Sequence, residues 1–463
     1  MRSTNKSKKK RFYHGSTKNI RKLIEQRWLV VFLSLALTGL GAALAGLLFK
    51  EGIYQMVSFR IEILNYYPNW LVLPILGALG GMVSGWLVSN FAPAAGGAGI
   101  THIMSFLRHR PVQMGLKVAL VKLVAGIIAI GSGFPLGPEG PAVQMGGSVA
   151  WQLARWLRAP GAFRRMLVSA GGGAGIAAVF SAPIGGFIYA IEELLHVAKP
   201  VVLLLVLVTT FFADTSADVL GFLGLGHHSG GLVSTMGFQL EREYTPQVFF
   251  FPIDLVYLIA LGGIAGLLTE LYSRYVLALQ HYVNLLLGRK LVLRMSITGL
   301  ALGGFYAALP SIFQNPAEFI HLIAEGSADL KLALAIFAVL FFSTGLAAAS
   351  GAPGGLFLPM LTLGGAIGLA CGDWVESLTG HVPTTFVFAG MGAFVAGCSR
   401  TPISAMFLAF ALTKDLLILK PILVACLASY LVAVKLDKHS IYERQMRLEI
   451  AFERGNGKEV DLE

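Results

Sequence analysis

Charged residues are scarce in this sequence: Asp, Glu, Lys and Arg make up 13% of its 463 residues, against about a quarter in an average soluble domain. Cysteine is scarcer still. Cys371, Cys398 and Cys426 stand in apolar stretches without CxxC spacing, which excludes a disulfide framework and a cysteine metal site. The ten histidines form no HExxH pair, so we expect neither a metal nor another cofactor.

Long apolar runs take the place of charge. Hydrophobic residues make up 55% of the chain, and apolar runs span residues 29–49, 200–226, 255–269, 332–349 and 403–412. Several of them approach the ~20 residues that a helix needs to cross a membrane, and their periodicity is helical. The sequence therefore predicts an all-α polytopic membrane protein.

Basic residues at both ends predict the orientation. Residues 1–27 hold ten Lys and Arg against one Glu, and the tail at 436–463 is also charged. Because cytoplasmic segments carry an excess of Lys and Arg, we expect both termini to be cytoplasmic. The net charge of +11 could also indicate an anionic partner, but its concentration in the first segment favours a role in topology, and no nucleic acid is expected.

The chain contains an internal duplication. SGFPLGPEGPAVQMGG (132–147) aligns without gaps with SGAPGGLFLPMLTLGG (350–365), with seven identities in sixteen positions. A second pair, 171–183 and 390–402, follows at almost the same offset of 218 or 219 residues. Both repeated blocks are rich in Gly and Pro, and such paired interruptions of apolar segments indicate a transporter's substrate site.

Two membrane repeats are therefore predicted, at residues 28–240 and 250–435, flanked by the segments 1–27 and 436–463. The polar interval 227–247 is expected to be an external loop or a linker. The alternative explanation of the repeated glycines is close helix packing, but packing alone does not require the prolines to repeat.

Glu139 is the only carboxylate in the first repeated block, and its repeat partner is Phe357. A helix that begins inside a membrane presents unpaired N–H groups and the positive end of its dipole, so two such starts facing one point form an anion site. An ionised Glu139 could occupy that site, or take up a proton and leave it to a free anion. The alternative is that Glu139 only caps a helix.

Charged residues in other apolar segments are ambiguous. Glu192 and Glu193 end an apolar run, where a proton relay and an ordinary interfacial acid are the alternatives. Glu193 and His196 have E-x-x-H spacing, but the second half offers no matching metal ligands. Glu270 is expected at a membrane interface or a helix cap, and Lys122 is expected to snorkel or to neutralise a carboxylate.

These motifs resemble those of the CLC family of chloride channels and chloride/proton antiporters, in its short prokaryotic form without CBS domains, over residues 28–447. GPEGP (137–141) is similar to the family's G-[RK]-E-G-P, GGLFLP (354–359) to its G-x-F-x-P, and GAGIT (97–101) to a degraded G-S-G-I-P. Tyr442 stands where the family has its central-site tyrosine. The resemblance implies two inverted repeats whose broken helices meet at a central anion site.

The resemblance also implies a role for each site residue. Glu139 would be the external gating glutamate and Glu193 the internal proton-transfer glutamate. Because antiporters generally keep the internal acid, exchange of chloride for protons is favoured over its alternative, an uncoupled channel for chloride or another anion. The anion-binding positions implied are Ala98, Gly99, Ile100, Gly137, Gly140, Gly355, Leu356, Phe357, Leu358 and Tyr442.

The sequence departs from the family pattern in three places, of which the first bears on the choice of anion. Ala98 stands where the family usually has a serine hydroxyl on the central anion, and Thr101 replaces a proline. Pro138 replaces the basic residue before the gating glutamate, which makes the outer vestibule less positive. His102 and Met104 stand where relatives carry acids.

The expected partners are chloride, protons and the lipid bilayer. The resemblance implies a homodimer with one complete pathway per subunit, in the cell (inner) membrane. An enzyme is not expected, because an intramembrane protease would need a Ser/His or metal constellation, and Ser132 and Ser350 lack a histidine in a suitable helical setting.

Overall fold

The computed structural model describes residues 3–196, 199–225, 253–288, 290–315, 318–324, 328–380, 385–413 and 415–453. The predicted loop or linker at 227–247 lies outside these residues. Within them the regular structure is helical, and the extended pairing is one isolated bridge. In chain order the helices are α1 Ser3–Tyr66, α2 Asn69–Phe91, α3 Ile100–Leu107, α4 Leu116–Gly131, α5 Glu139–Trp156, α6 Gly161–Phe180, α7 Pro183–Tyr189, α8 Pro200–Phe222, α9 Asp254–Leu287, α10 Leu291–Ala307, α11 Phe319–Ala324, α12 Leu330–Ser350, α13 Phe357–Thr379, α14 Phe386–Ser399, α15 Pro402–Thr413, α16 Leu419–Leu436 and α17 Ile441–Glu453.

The helices have the length and apolar composition of a membrane protein. Seven helical segments within the described residues are long and apolar enough to cross a bilayer. Several others, including α3, α7 and α11, are too short to do so. Short helices at membrane depth are tolerated where neighbouring protein covers them, and the predicted all-α polytopic fold is confirmed.

Glycine contacts between α2 and α10 reveal the inverted repeat. A Cβ on Gly77 would meet the carbonyl of Gly299, and a Cβ on Gly299 would meet the carbonyl of Gly77. Four residues further along α2, Gly81 lies against the backbone of Met295, four residues back in α10. The two helices are therefore antiparallel, and since each holds the same place in its own repeat, the repeats run in opposite directions across the membrane.

The core helices of each repeat cross at matching glycines. Gly146 of α5 and Gly171 of α6 each leave no room for a Cβ on the other, and Gly364 of α13 and Gly390 of α14 do the same. These pairs are separated by the 218- or 219-residue offset of the duplicated blocks. Small residues at such crossings let helix backbones approach closely, so the duplication preserves a packing geometry as well as a sequence.

The chain path defines two faces of the molecule. α1 crosses from Trp28 to Tyr66 and α2 returns, so Phe91 lies on the same face as Trp28. α3 leads out to this face, where Arg108 at its end forms an ion pair with Glu443 of α17. We call this the Trp28 face and the opposite one the Tyr66 face.

Candidate functional site

Two helices begin at one point in the middle of the molecule. α5 begins at Glu139 and α13 at Phe357, and these two residues are repeat partners. In the loops before them, the N–H of Gly137 donates to the carbonyl of Gly355 at 2.8 Å, and the reverse bond measures 2.7 Å. Because each glycine pairs with its own repeat partner, the pseudo-two-fold axis passes between them and fixes the two helix starts against each other.

Each helix start exposes the same small number of N–H groups. Intrahelical bonding begins at Ala142 in α5 and at Met360 in α13. The third residue of each helix is a proline, which has no N–H to offer. The N–H groups left without an intrahelical acceptor therefore belong to the first two residues of each helix, which are Glu139 and Gly140 in α5 and Phe357 and Leu358 in α13.

The Glu139 side chain reaches across to the start of α13. The carboxyl group is fully buried, and its Oε1 accepts a hydrogen bond from the N–H of Phe357 at 2.5 Å. The N–H groups of Leu358 and of Glu139 itself are also directed at this carboxyl group. Its Oε2 has no hydrogen-bond partner within the described residues. A carboxylate thus occupies the place where a free anion would meet the same donors.

Gly137 and Gly355 contribute to the site in a different way from the predicted one. Their N–H groups do not face an anion, because they bond each other. Instead, a Cβ on either glycine would overlap the Glu139 carboxyl oxygens, so the absence of a side chain makes room for this carboxyl group. Leu356 precedes α13, and its carbonyl accepts the helix's first bond, from Met360.

The starts of α5 and α13 form two sides of the site, and the segment before α3 forms the third. A Cβ on Gly140 would meet the carbonyl of Ala98, so this segment packs directly on the start of α5. Gly99 has a positive φ of 84°, and its carbonyl accepts the first bonds of α3. The N–H groups of Ile100 and Thr101 therefore have no intrahelical acceptor. Ala98 brings no hydroxyl to this side.

Two buried side chains hold this segment in place. Lys122 of α4 is fully buried and donates to the carbonyl of Gly97 at 2.5 Å. Gln144 of α5 donates to the carbonyl of Ala94 at 2.5 Å. Of the two alternatives for Lys122, snorkelling is wrong, because its buried ammonium satisfies backbone carbonyls that the irregular segment would otherwise leave unpaired. The Glu449 carboxylate lies within its electrostatic range, in line with the second alternative.

The acidic pair after α7 divides into two roles. Glu192 accepts bonds at 2.7 Å from both the N–H and the hydroxyl of Ser404 and thereby caps α15. Glu193 is 3% exposed, and its Oε1 accepts a bond from the hydroxyl of Ser440 at 3.4 Å. That hydroxyl also accepts the N–H of Glu443 at 3.2 Å and so caps α17. Glu192 is therefore a helix cap, and Glu193 lies buried beside the start of α17.

A π-helical turn over Ala190–Leu195 carries this pair. The wider turn lets neighbouring side chains serve different elements, and such turns are frequent at functional sites. His196 ends the turn in a left-handed conformation, at φ 51°. No group of three or more His, Cys, Asp or Glu side chains that could hold a metal occurs among the described residues.

Two buried tyrosines lie near both glutamates. Tyr442 is 1% exposed and Tyr189 is 2% exposed, and neither hydroxyl has a hydrogen-bond partner in the described part of the chain. Both lie within electrostatic range of Glu139 and of Glu193. Sequence analysis found Tyr442 and missed Tyr189. The available signal was its position four residues before Glu193, which places both side chains on one helix face.

A buried ion cluster fixes the helix that carries Tyr442. Glu270 of α9 is 4% exposed, and both of its oxygens bond Arg444 of α17 at 3.0 Å. Arg400 binds the same carboxylate at 3.2 Å, and Arg274 binds it at 2.8 Å. Glu270 therefore does not cap a helix: it lies within α9, where the buried Arg400 and Arg444 and the exposed Arg274 neutralise it.

Comparison with known proteins agrees with this architecture. The family model described as Voltage gated chloride channel matches residues 80–434. The chain is 32% identical over 436 residues to an H(+)/Cl(-) exchange transporter ClcA of Cronobacter sakazakii, a match that covers 89% of this chain and 88% of that protein. The protein of the same name from Vibrio cholerae is 30% identical over 438 residues, with 90% and 88% covered.

Solved structures share the fold. A slow cyanobacterial Cl-/H+ antiporter superposes with a TM-score of 0.80 at 25% identity, over 93% of this chain and 99% of that one. The family match covers well over half of the sequence, and the curated relatives span almost all of it. The chain belongs to the voltage-gated chloride channel, or CLC, family.

Proposed function

We propose that this protein exchanges chloride for protons across the membrane and that Glu139 couples the two ions. The bond from the Phe357 N–H to the Glu139 carboxylate carries the proposal. An ionised Glu139 occupies the donors that a chloride ion needs, and a protonated Glu139 has a much weaker hold on them. One proton taken up by Glu139 therefore opens the place for one anion.

Protons would reach Glu139 from the Trp28 face through Glu193. Glu193 is buried on that side of Glu139, next to the start of α17. An ionisable residue inside a membrane protein marks an ion or proton pathway by default. The hydroxyls of Tyr189 and Tyr442 lie within electrostatic range of both acids, and each can both donate and accept a proton.

The anion would be held by backbone donors and these two hydroxyls. The start of α13 offers Phe357 and Leu358, and the start of α3 offers Ile100. Tyr442 would close the Trp28 side, and Tyr189 would supply the side-chain hydroxyl that Ala98 lacks. Small anions bind at helix N-termini without a formal positive charge, which permits release between transport steps.

The proposal extends to the setting of the protein. The basic residues of segment 1–27 support cytoplasmic termini, so the Trp28 face would be cytoplasmic and the membrane would be the cell (inner) membrane. The homologues' names support chloride and protons as the transported ions. We also propose a homodimer in which each subunit contains its own pathway.

Transport into liposomes tests this function. Purified protein is reconstituted with a chloride gradient and the lumenal pH is followed; we expect chloride moving down its gradient to drive protons uphill. Glu139→Gln should abolish proton transport and retain chloride flux. Chloride flux without proton movement in the unmodified protein would instead establish the uncoupled channel. Repeating the assay with nitrate and fluoride identifies the preferred anion.

A further inference from the structure

A cavity of about 60 Å³ lies beside the Glu139 site, between the end of α1, the loop before α5 and the first turn of α13. Its lining includes Leu358, whose N–H faces the Glu139 carboxyl group. A single water needs about 10–15 Å³ of such space, so the cavity has room for a halide ion.

The cavity contains a buried arginine with spare donors. Arg60 is 3% exposed, and its Nη2 donates to Oδ1 of Asn315 at 3.1 Å. Its Nε has no hydrogen-bond partner within the described residues. Its Nη1 lies 3.0 Å from the position that a Cβ on Gly133 would take, so this glycine, with a φ of 115°, makes room for the guanidinium group.

Arg60 is the one charged side chain among the described residues that line the cavity, and most of the others are aliphatic. Tyr306 and Glu318 are the titratable groups within its electrostatic range. Glu318 is linked to Arg60 through Asn315, whose Nδ2 donates to its Oε1 at 2.7 Å. A buried guanidinium without a contacting carboxylate strongly favours an anion.

The position of the cavity completes the inference. Arg60 lies six residues before Tyr66, about 9 Å along α1. The cavity therefore lies on the Tyr66 side of the Glu139 site, away from Glu193. Pro138, at the start of α5, carries no charge there. We propose that the Arg60 cavity binds a small monovalent inorganic anion such as chloride and supplies it to the Glu139 site, an inference that rests on the proposed anion transport.

Bromide provides a direct test, because its anomalous scattering locates it in crystals of the full-length protein. We expect a bromide peak within hydrogen-bond distance of the Arg60 guanidinium and a second one beside Phe357 when Glu139 is replaced by Ala. In the Glu139→Ala background, Arg60→Gln should remove the first peak and keep the second. No peak beside Arg60 in the unmodified protein, or a peak that persists in Arg60→Gln, would overturn the proposal.

Transport gives a second readout in case Arg60→Gln folds poorly. Asn315→Asp keeps Arg60 and places a carboxylate against it. The resulting ion pair would neutralise the guanidinium group and weaken its attraction for a free anion. Both variants should raise the chloride concentration that half-saturates transport from the Tyr66 face by about tenfold, the loss of one charge-assisted hydrogen bond. Lys331→Gln removes an exposed charge on the same face and should change nothing. Unchanged half-saturation in both cavity variants refutes the inference, whereas an unmodified protein that moves no chloride refutes the proposed transport and leaves the bromide test standing.

Discussion

Replacing Glu139 with alanine should tighten chloride binding, because the carboxylate and the anion compete for the same donors. The Phe357 N–H donates to the carboxylate at 2.5 Å. A hydrogen bond to a charged group contributes about 1.5–3 kcal/mol, and each 1.4 kcal/mol corresponds to about a factor of ten in affinity. We therefore expect chloride to bind roughly 10- to 150-fold more tightly to Glu139→Ala than to the unmodified protein at neutral pH.

Chloride affinity should also depend on pH in a defined direction. Protonation of Glu139 removes the competitor, so chloride binding to the unmodified protein should strengthen as the pH falls. Binding to Glu139→Ala should not vary with pH in this way, and the two affinities should converge in acid. Glu139→Gln keeps a neutral acceptor for Phe357, whose bond is worth about 1 kcal/mol, so its gain in affinity should be smaller than that of alanine.

Isothermal titration of chloride into the detergent-solubilised protein measures these constants over a range of pH, in buffers whose anions are too large for the site. Circular dichroism and size-exclusion chromatography check that each variant is folded. Equal chloride affinity in Glu139→Ala and the unmodified protein at every pH would refute the competition between carboxylate and anion, and with it the proposed coupling.

Three further predictions follow from the surroundings of the site. Glu193→Gln should reduce proton flux in liposomes more than tenfold and spare chloride flux. Glu192→Gln keeps an acceptor for the cap of α15 and should leave both fluxes unchanged. Equal losses of proton flux in the two variants would deny Glu193 its role. Tyr189→Phe removes one unpaired hydroxyl and should weaken chloride binding about fivefold by calorimetry, and an unchanged affinity would make Tyr189 only a packing residue. Glu270→Gln removes the carboxylate that Arg400 and Arg444 share, although Asp437 still pairs with Arg444, and should lower the stability by about 3–5 kcal/mol, seen as a lower melting temperature. Unaltered melting would contradict the structural importance of this ion cluster.

The duplication could be predicted from sequence because it repeats Gly and Pro, the two residues with unusual backbone conformations. Repeated Gly and Pro interrupt apolar segments at the same places in both halves, and the structure shows helices that begin there. The fate of individual N–H groups could not be predicted. Gly137 and Gly355 look like anion ligands in sequence, but their donors are used in a contact between the halves, and only the fold brings those loops together.

Other parts of the site have a weak local signal or none. Tyr189 stands in an apolar helix and reads as an ordinary core aromatic residue; its unpaired hydroxyl becomes evident only when α17 packs beside it. Glu270 binds Arg400 and Arg444, which lie 130 and 174 residues away. The charge balance of a buried group depends on such distant neighbours, so the sequence alone does not reveal that Glu270 belongs to an ion cluster.

The two halves supply equivalent helix starts, but coupling requires them to differ. If Phe357 were also an acid, two carboxylates would compete for one set of donors and repel each other. If Glu139 were apolar, nothing at the site would link an anion to a proton. In the proposed exchange, one tethered carboxylate from the first repeat, bound by an N–H of the second, links anion binding to proton uptake. The repeat partner of Glu193 is Leu412, so the proposed internal acid is also present in one half alone. Under this proposal the duplicated frame builds the anion site, and the unmatched acids couple it to protons.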